Sequence, residues 1–218
     1  MSGAWELRAA NLVLAAILHT DITTIAWSFG LRNLIVPGQV IGLVGMPFDH
    51  ARNVACQRAL EMGVEWIFFL DSDVIAPHDA VLRLMAHKQP IISGMYCRRS
   101  PPAAVPVMIR DGRWVTEFQP GTVIEVDLVG AGCLLVHRSV LESLPPQRPG
   151  KHWFDWRVDL QGITPADIPP LSEDFTFAHH SRKHGYHVLV DTSIACKHVG
   201  LAQSSYGRFD PLDASPVT

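Results

Sequence analysis

Five consecutive apolar residues, Trp66-Ile67-Phe68-Phe69-Leu70, run straight into Asp71-Ser72-Asp73. A run this short, unbroken and bounded by a polar turn reads as a strand buried on both faces. Strands of that kind sit in parallel sheets covered by helices on either side. The chain around it must then alternate strand and helix, because parallel neighbours need a crossover connection.

It does alternate. Residues 12–18 form a first apolar run, followed by the polar His19-Thr20-Asp21, and residues 40–44 form a second. Between 49 and 62, Ala51, Val54, Ala55, Ala59 and Met62 recur at helical spacing, and Gly63 supplies a stop signal. Pro77 opens a helix over 78–88 with Val81, Leu82 and Met85 on one face, and 90–94 is the next short strand. The second half is less regular. A Pro-rich loop at 100–106 leads to a stretch holding Trp114, Phe118 and Pro120. Residues 123–129 alternate and then break at Gly130-Ala131-Gly132; 133–136 continue as an apolar run into a short helix from Ser139. Residues 145–171 read as a long loop, 172–184 as a helix with Ser172 at its N-cap and Gly185 closing it, and 186–190 and 193–197 as late strands. The expected fold is an α/β sandwich around a mostly parallel, mixed sheet. All 218 residues fit one domain, with halves at about 12–99 and 100–200 and a tail at 201–218.

Composition narrows the partners. With 48% hydrophobic and 18% charged residues the chain is globular, and its net charge of −3 offers no footprint for nucleic acid. The early apolar run falls well short of the roughly 20 residues a membrane span needs. Cys56, Cys97, Cys133 and Cys196 form no CxxC pair, and three of them lie in apolar runs, which points to buried free thiols and a cytoplasmic setting.

The acidic turn has a direct chemical use. Where a strand ends, curvature can bring Asp71 and Asp73 around one hard cation, and Mg²⁺ or Mn²⁺ takes one or two carboxylates together with phosphate oxygens. In open α/β sheets ligands bind beyond the carboxyl ends of strands, where this turn falls. The plain alternative is a solvated turn held by local hydrogen bonds.

Ala51-Arg52-Asn53 at a helix start, followed by Glu65 through Asp73, resembles the nucleotide-binding half of GT-A-fold glycosyltransferases, above all the inverting family 2 type. Val129-Gly130-Ala131-Gly132-Cys133-Leu134-Leu135, Ser172-Glu173-Asp174-Phe175, Val190-Asp191-Thr192-Ser193 and Cys196-Lys197-His198-Val199-Gly200 follow in the family's order, so the resemblance spans about 12–200. It implies a metal-dependent transfer of a sugar from a nucleotide-diphosphate donor (UDP- or GDP-sugar) to a hydroxyl of a glycan, lipid or protein. Asp73 would be the main ligand of Mn²⁺ or Mg²⁺, with Asp71 sharing it or touching the ribose and Ser72 in the same nucleotide-binding turn. His198 would complete the metal or diphosphate site; otherwise it is an ordinary histidine at a strand end. Thr20 and Asp21 would contact the nucleobase.

Asp49, Arg52 and Asn53 would face an anion at the helix start; an Asp49–Arg52 ion pair is the alternative. Gly130, Ala131 and Gly132 would let backbone approach the donor sugar, unless they mark a bulge. Asp174 would be the base that takes the acceptor's proton, with Glu173 orienting the acceptor; two acids in a first helical turn also simply suit the helix dipole. Trp153, Phe154 and Trp156 would offer a sugar platform or pack a loop. His179, His180 and His184 read as surface residues, and a homodimer is left open.

The chain departs from processive family 2 enzymes in lacking their QxxRW signature and membrane spans. Two other readings stand beside this one. Asp71-Ser72-Asp73-Val74 also fits the start of a haloacid-dehalogenase-type phosphatase with Asp71 as nucleophile, although two strands precede it and the later acidic motif is missing. A catalytically lapsed sugar- or nucleotide-binding module is the other.

Overall fold

The computed structural model describes residues 12–19, 22–98, 105–156, 160, 163–164, 172–199, 202–205 and 208–211. In chain order the elements are β1 (Val13–His19), α1 (Ile25–Asn33), β2 (Gly38–Val44), α2 (Phe48–Met62), β3 (Trp66–Asp71) and β4 (Val74–Ile75). Next come α3 (Ala80–Ala86), β5 (Ile91–Met95), β6 (Met108–Arg110), β7 (Arg113–Trp114), β8 (Val123–Val126), β9 (Leu128–Val129) and β10 (Cys133–His137). The chain continues through α4 (Arg138–Ser143), α5 (Glu173–Lys183), β11 (Val188–Ala195), β12 (Lys197–His198), β13 (Ala202–Ser205) and β14 (Arg208–Pro211).

Seven strands form the central sheet in the order β2-β1-β3-β10-β5-β11-β8. β2, β1 and β3 are parallel, β5 and β11 are parallel, and β10 and β8 run against their neighbours. The mixed, mostly parallel sheet is the architecture expected from the apolar run at Trp66. That run is the middle of the protein. Phe69, Leu14, Leu18 and Leu134 join one buried cluster with Ala55 and Ala59 of α2 and Phe175 and Phe177 of α5. Phe68, Leu70, Ala15 and Leu135 join a second with Trp27 of α1 and Val81 and Leu84 of α3. Alternate residues of the same strands thus serve opposite helical layers, as the period of two in a strand requires.

Several boundaries differ from expectation. α3 is shorter than 78–88: Pro77 to Asp79 make a turn, Ala80 N–H bonding to the Pro77 carbonyl at 3.0 Å, and Lys88 has φ 52° beyond its end. α1 falls where the sequence pattern shows no helix. Of its residues only Trp27 is buried, while Ile25 and Phe29 face outward, so no inward apolar stripe announces it. Its start is nonetheless capped, the Thr24 hydroxyl accepting from Trp27 N–H at 3.1 Å. Residues 123–129 divide between β8 in the central sheet and β9 in a small sheet with β6 and β7. The two late strands are one, β11, because Asp191 is paired inside it: His87 Nε2 lies 2.9 Å from its carboxylate and Ser193 N–H donates at 2.8 Å. The polar residues that look like a break produce a register shift between Asp191 and Ala195 instead.

All four cysteines are free and buried. Among the described residues no helix is long and apolar enough to cross a membrane.

Candidate functional site

The carboxyl ends of β1, β3 and β5 and the start of β10 meet at one edge of the sheet, and the acidic turn lies there. Its backbone is held from several directions. Asp71 N–H bonds to the Gly132 carbonyl (3.2 Å) and Ser72 N–H to the Leu18 carbonyl (3.2 Å). Val199 N–H bonds to the Asp73 carbonyl at 2.6 Å. From the α1 side, Trp27 Nε1 donates to the Asp71 carbonyl (3.0 Å) and Thr23 Oγ1 to that of Ser72 (2.9 Å). A turn anchored by five long-range bonds is a preorganised scaffold, not a solvated loop.

Its two carboxylates diverge. Asp71 turns inward to Arg52, whose Nη2 is 2.9 Å away. Arg52 is only 2% exposed and also reaches Glu173 (Nε to Oε1, 3.4 Å) and the Ala131 carbonyl (3.4 Å). Burial works against the Arg52 charge, but Asp71, Glu173 and Asp174 outweigh it and hold the guanidinium protonated. For Asp71 burial pushes the carboxyl upward, Arg52 pulls it down and Asp73 pushes again, leaving a net upward shift. A quarter of its side chain opens to the cavity, so the dehydration it feels is partial. Glu173 is pushed up to about 7, first by burial and then by Asp174, against the pull of Arg52.

Asp73 turns outward to His198. Nδ1–H of His198 donates to the Cys97 carbonyl at 2.7 Å; a carbonyl can only accept, so this nitrogen carries the proton. Nε2 of the same ring lies 3.4 Å from Asp73 Oδ2. A backbone carbonyl on the far nitrogen is the usual support of a metal-binding histidine. The donor set fits Mn²⁺ or Mg²⁺ bound by two protein groups and completed by phosphate oxygens. Among the described residues no group of three or more His, Cys, Asp or Glu is arranged as a self-sufficient metal cage.

Both carboxylates line an open cavity of about 440 Å³ with Ser72, Arg52, Glu173, Asp174 and His198. Asp174 sits in the first turn of α5. Its Oδ1 accepts from Phe175 N–H (2.8 Å) and from the Ser172 hydroxyl, and its Oδ2 from Ala131 N–H (3.2 Å). Ser172 therefore occupies the N-cap without capping the backbone; its hydroxyl fixes Asp174 instead.

Other expected site residues are engaged elsewhere. Asp49 pairs with Lys151 rather than with Arg52. Asn53 clamps a loop: its Nδ2 donates to the Phe154 carbonyl and its Oδ1 accepts from Trp153 and Phe154 N–H. Trp153 is 3% exposed, with Nε1 bonded to the Leu141 carbonyl, and Phe154 stacks on Phe177, so both belong to the core. Trp156 is 45% exposed and lines the cavity. At Gly130 an added Cβ would lie 2.0 Å from Tyr96 Oη, and at Gly132 2.9 Å from Tyr96 Cζ. The glycines make room for a tyrosine. Thr20 and Asp21 lie outside the described residues.

Tyr96 and Arg98 join the site although no sequence motif marks them. Tyr96, just past β5, accepts from Gly132 N–H at 3.1 Å, meets His198 edge-on and lines the cavity. Burial, with Asp174 and Asp71 nearby, raises its hydroxyl pKa, so it stays neutral. Arg98 lines the same cavity and lies over Trp114, 4.8 Å from the ring centre. A tyrosine ending an apolar strand level with the acidic turn is the one signal the sequence offers for it.

No family model matches the sequence, and no curated protein matches it either. Among solved structures the chain is similar to the crystal structure of A197 from STIV, with a TM-score of 0.64 and 17% identity over 94% of this chain and 96% of that one. A glycosyltransferase involved in the glycosylation of the major capsid of PBCV-1 overlaps more slightly, with a TM-score of 0.34 and 17% identity over 60% of this chain and 62% of that one. The first likeness is one of fold across nearly the whole chain, and the sheet is consistent with a GT-A-like α/β fold.

Proposed function

We propose that the chain is a metal-assisted glycosyltransferase that uses a nucleotide-diphosphate sugar and acts with inversion. The observation that carries this reading is the outward pair Asp73 and His198, 3.4 Å apart at the rim of a preorganised turn, with Nδ1–H of His198 fixed on the Cys97 carbonyl. Mn²⁺ or Mg²⁺ bound there would neutralise the charge that develops on the departing diphosphate. The protein's own residues do the rest. Arg52 fixes Asp71 in the wall of the cavity, where a ribose hydroxyl can donate to its carboxylate. Arg98 adds positive charge to the same wall, suited to phosphate oxygens.

Asp174 is the base of this proposal. It is ordered by the Phe175 and Ala131 N–H groups and the Ser172 hydroxyl, and in-line attack requires a carboxylate opposite the leaving group. Glu173, buried against Arg52, positions that arginine rather than the acceptor. The phosphatase reading is weaker, because a nucleophilic Asp71 would attack with a carboxylate already tied to a buried guanidinium.

Thermal denaturation with Mn²⁺ and a panel of UDP-, GDP- and TDP-sugars tests the reading, together with assay of released nucleotide. One nucleotide should raise the melting temperature only when metal is present, and Asp73→Ala should abolish that rise. No response to any nucleotide with metal would sink the proposal; a response surviving Asp73→Ala would sink the metal assignment.

A further inference from the structure

A second cavity of about 700 Å³ adjoins the first and shares two of its walls, Phe48 and Trp156. Among the described residues Pro47, Asp49, Arg148 and Lys151 line the rest of it. Building on the donor-site reading above, we infer that this cavity is the acceptor subsite and that its occupant is a neutral oligosaccharide.

The chemistry of the walls selects that class. Phe48 and Trp156 are each 45% exposed, one at the start of α2 and the other in the loop that follows Phe154. Large aromatic faces left in water favour a flat apolar partner, and the C–H face of a pyranose is one. The polar groups are already balanced: Lys151 pairs with Asp49 and Arg148 with Asp155. Among the described residues each cation of the rim is matched by a carboxylate, so they hold no surplus charge to draw a phosphate or an acidic peptide. An acyl chain would strip water from both ion pairs and return no hydrogen bonds. Sugar hydroxyls both donate and accept, so they can bond to Asp49, Lys151 and Arg148 while the ring lies on the aromatics.

Continuity with the first cavity gives the site its purpose. An acceptor stacked on Trp156 extends its terminal hydroxyl toward the cavity lined by Asp174. In the transfer, that oxygen bonds to the anomeric carbon as the bond from carbon to phosphate oxygen breaks. The electron pair leaves with the nucleoside diphosphate, and the hydroxyl proton passes to the Asp174 carboxylate.

The test is binding to the intact protein without nucleotide or metal, so that this proposal and the donor reading fail separately. Maltotetraose, cellotetraose, mannotetraose and chitotetraose would be titrated, following tryptophan fluorescence and saturation-transfer NMR. At least one sugar should bind. Trp156→Ala should weaken it by about tenfold, as for an aromatic anchor, and Trp156→Phe should restore most of the affinity. Phe48→Ala should weaken it as well, and melting temperatures of the variants would confirm folding. The proposal is overturned if none of the four sugars binds, if Trp156→Ala binds as well as the parent, or if only a polyprenyl phosphate or a hydroxyl-bearing peptide binds. Sugar binding that persists when no nucleotide responds to metal supports this inference and removes only the donor reading.

Discussion

Asp71 and Asp73 stand two residues apart on one turn, yet they belong to different regions of the site. The inner wall, Arg52 with Asp71 and Glu173, is a buried charge cluster whose members answer one another. The outer rim, Asp73 with His198, brings a carboxylate and an imidazole to the mouth of the cavity. Buried groups whose charges meet one another hold a site in shape, whereas a carboxylate and an imidazole at a cavity rim are groups a cation can bridge. Sequence spacing alone makes the two aspartates look equivalent.

The comparison can be broken most sharply at Arg52. Arg52→Met should leave two carboxylates buried without their cation, costing about 3–5 kcal/mol in urea denaturation; a loss below about 1 kcal/mol would mean the inner wall is not a structural cluster. Gly130→Ala comes next. The new methyl collides with the buried Tyr96 hydroxyl, so a loss of about 1–3 kcal/mol is expected from overpacking. An unchanged stability would restore Gly130 to the role of a ligand-approach residue.

Glu173→Gln sharpens the comparison through pH. The Glu173 carboxyl keeps its proton up to about 7 in the folded protein, whereas its ordinary value is 4.5. The native state therefore binds more protons in that window, and this group's contribution to stability falls as pH rises through it. Glu173→Gln should match the parent near pH 4 and gain on it by up to roughly 3 kcal/mol at pH 8, since each tenfold change in proton affinity is worth about 1.4 kcal/mol and the shift from 4.5 to about 7 exceeds two such steps. A gap independent of pH would contradict the buried, repelled state of Glu173. The smallest stability effect belongs to the rim. Asp73→Asn should change unfolding free energy by no more than about 1 kcal/mol, while removing the metal-dependent nucleotide response; a large loss of stability would make Asp73 part of the inner wall.

Much of the frame is legible in the sequence. Strand β3 can be read because five apolar residues in a row have no other favourable place than a doubly covered sheet, and α2 because its small and aliphatic residues keep a helical period toward that sheet. α1 is not legible, since Ile25 and Phe29 face away from the core and leave only Trp27 to mark it. Within the site, Arg52, Asp73, Asp174 and His198 can be named from the sequence and do line one cavity. Asn53 and Trp153 can also be named, but they hold a loop and fill the core. Residue type cannot tell a side chain that binds a ligand from one that binds its own backbone.

The order of residues by itself determined the strand that ends in two acids, the helix that carries Arg52 near its start, and the acidic pair that opens α5. Those follow from local periodicity and from where burial must stop. Only the tertiary structure decided that Arg52 answers Asp71 and Glu173 instead of Asp49, and that the two glycines make way for Tyr96. It alone also decided that His198 turns Nε2 toward Asp73. Each depends on which surfaces 19 to 125 residues apart in the chain are pressed together, and on the cost of burying a charge or an N–H without a partner. No local pattern carries that information.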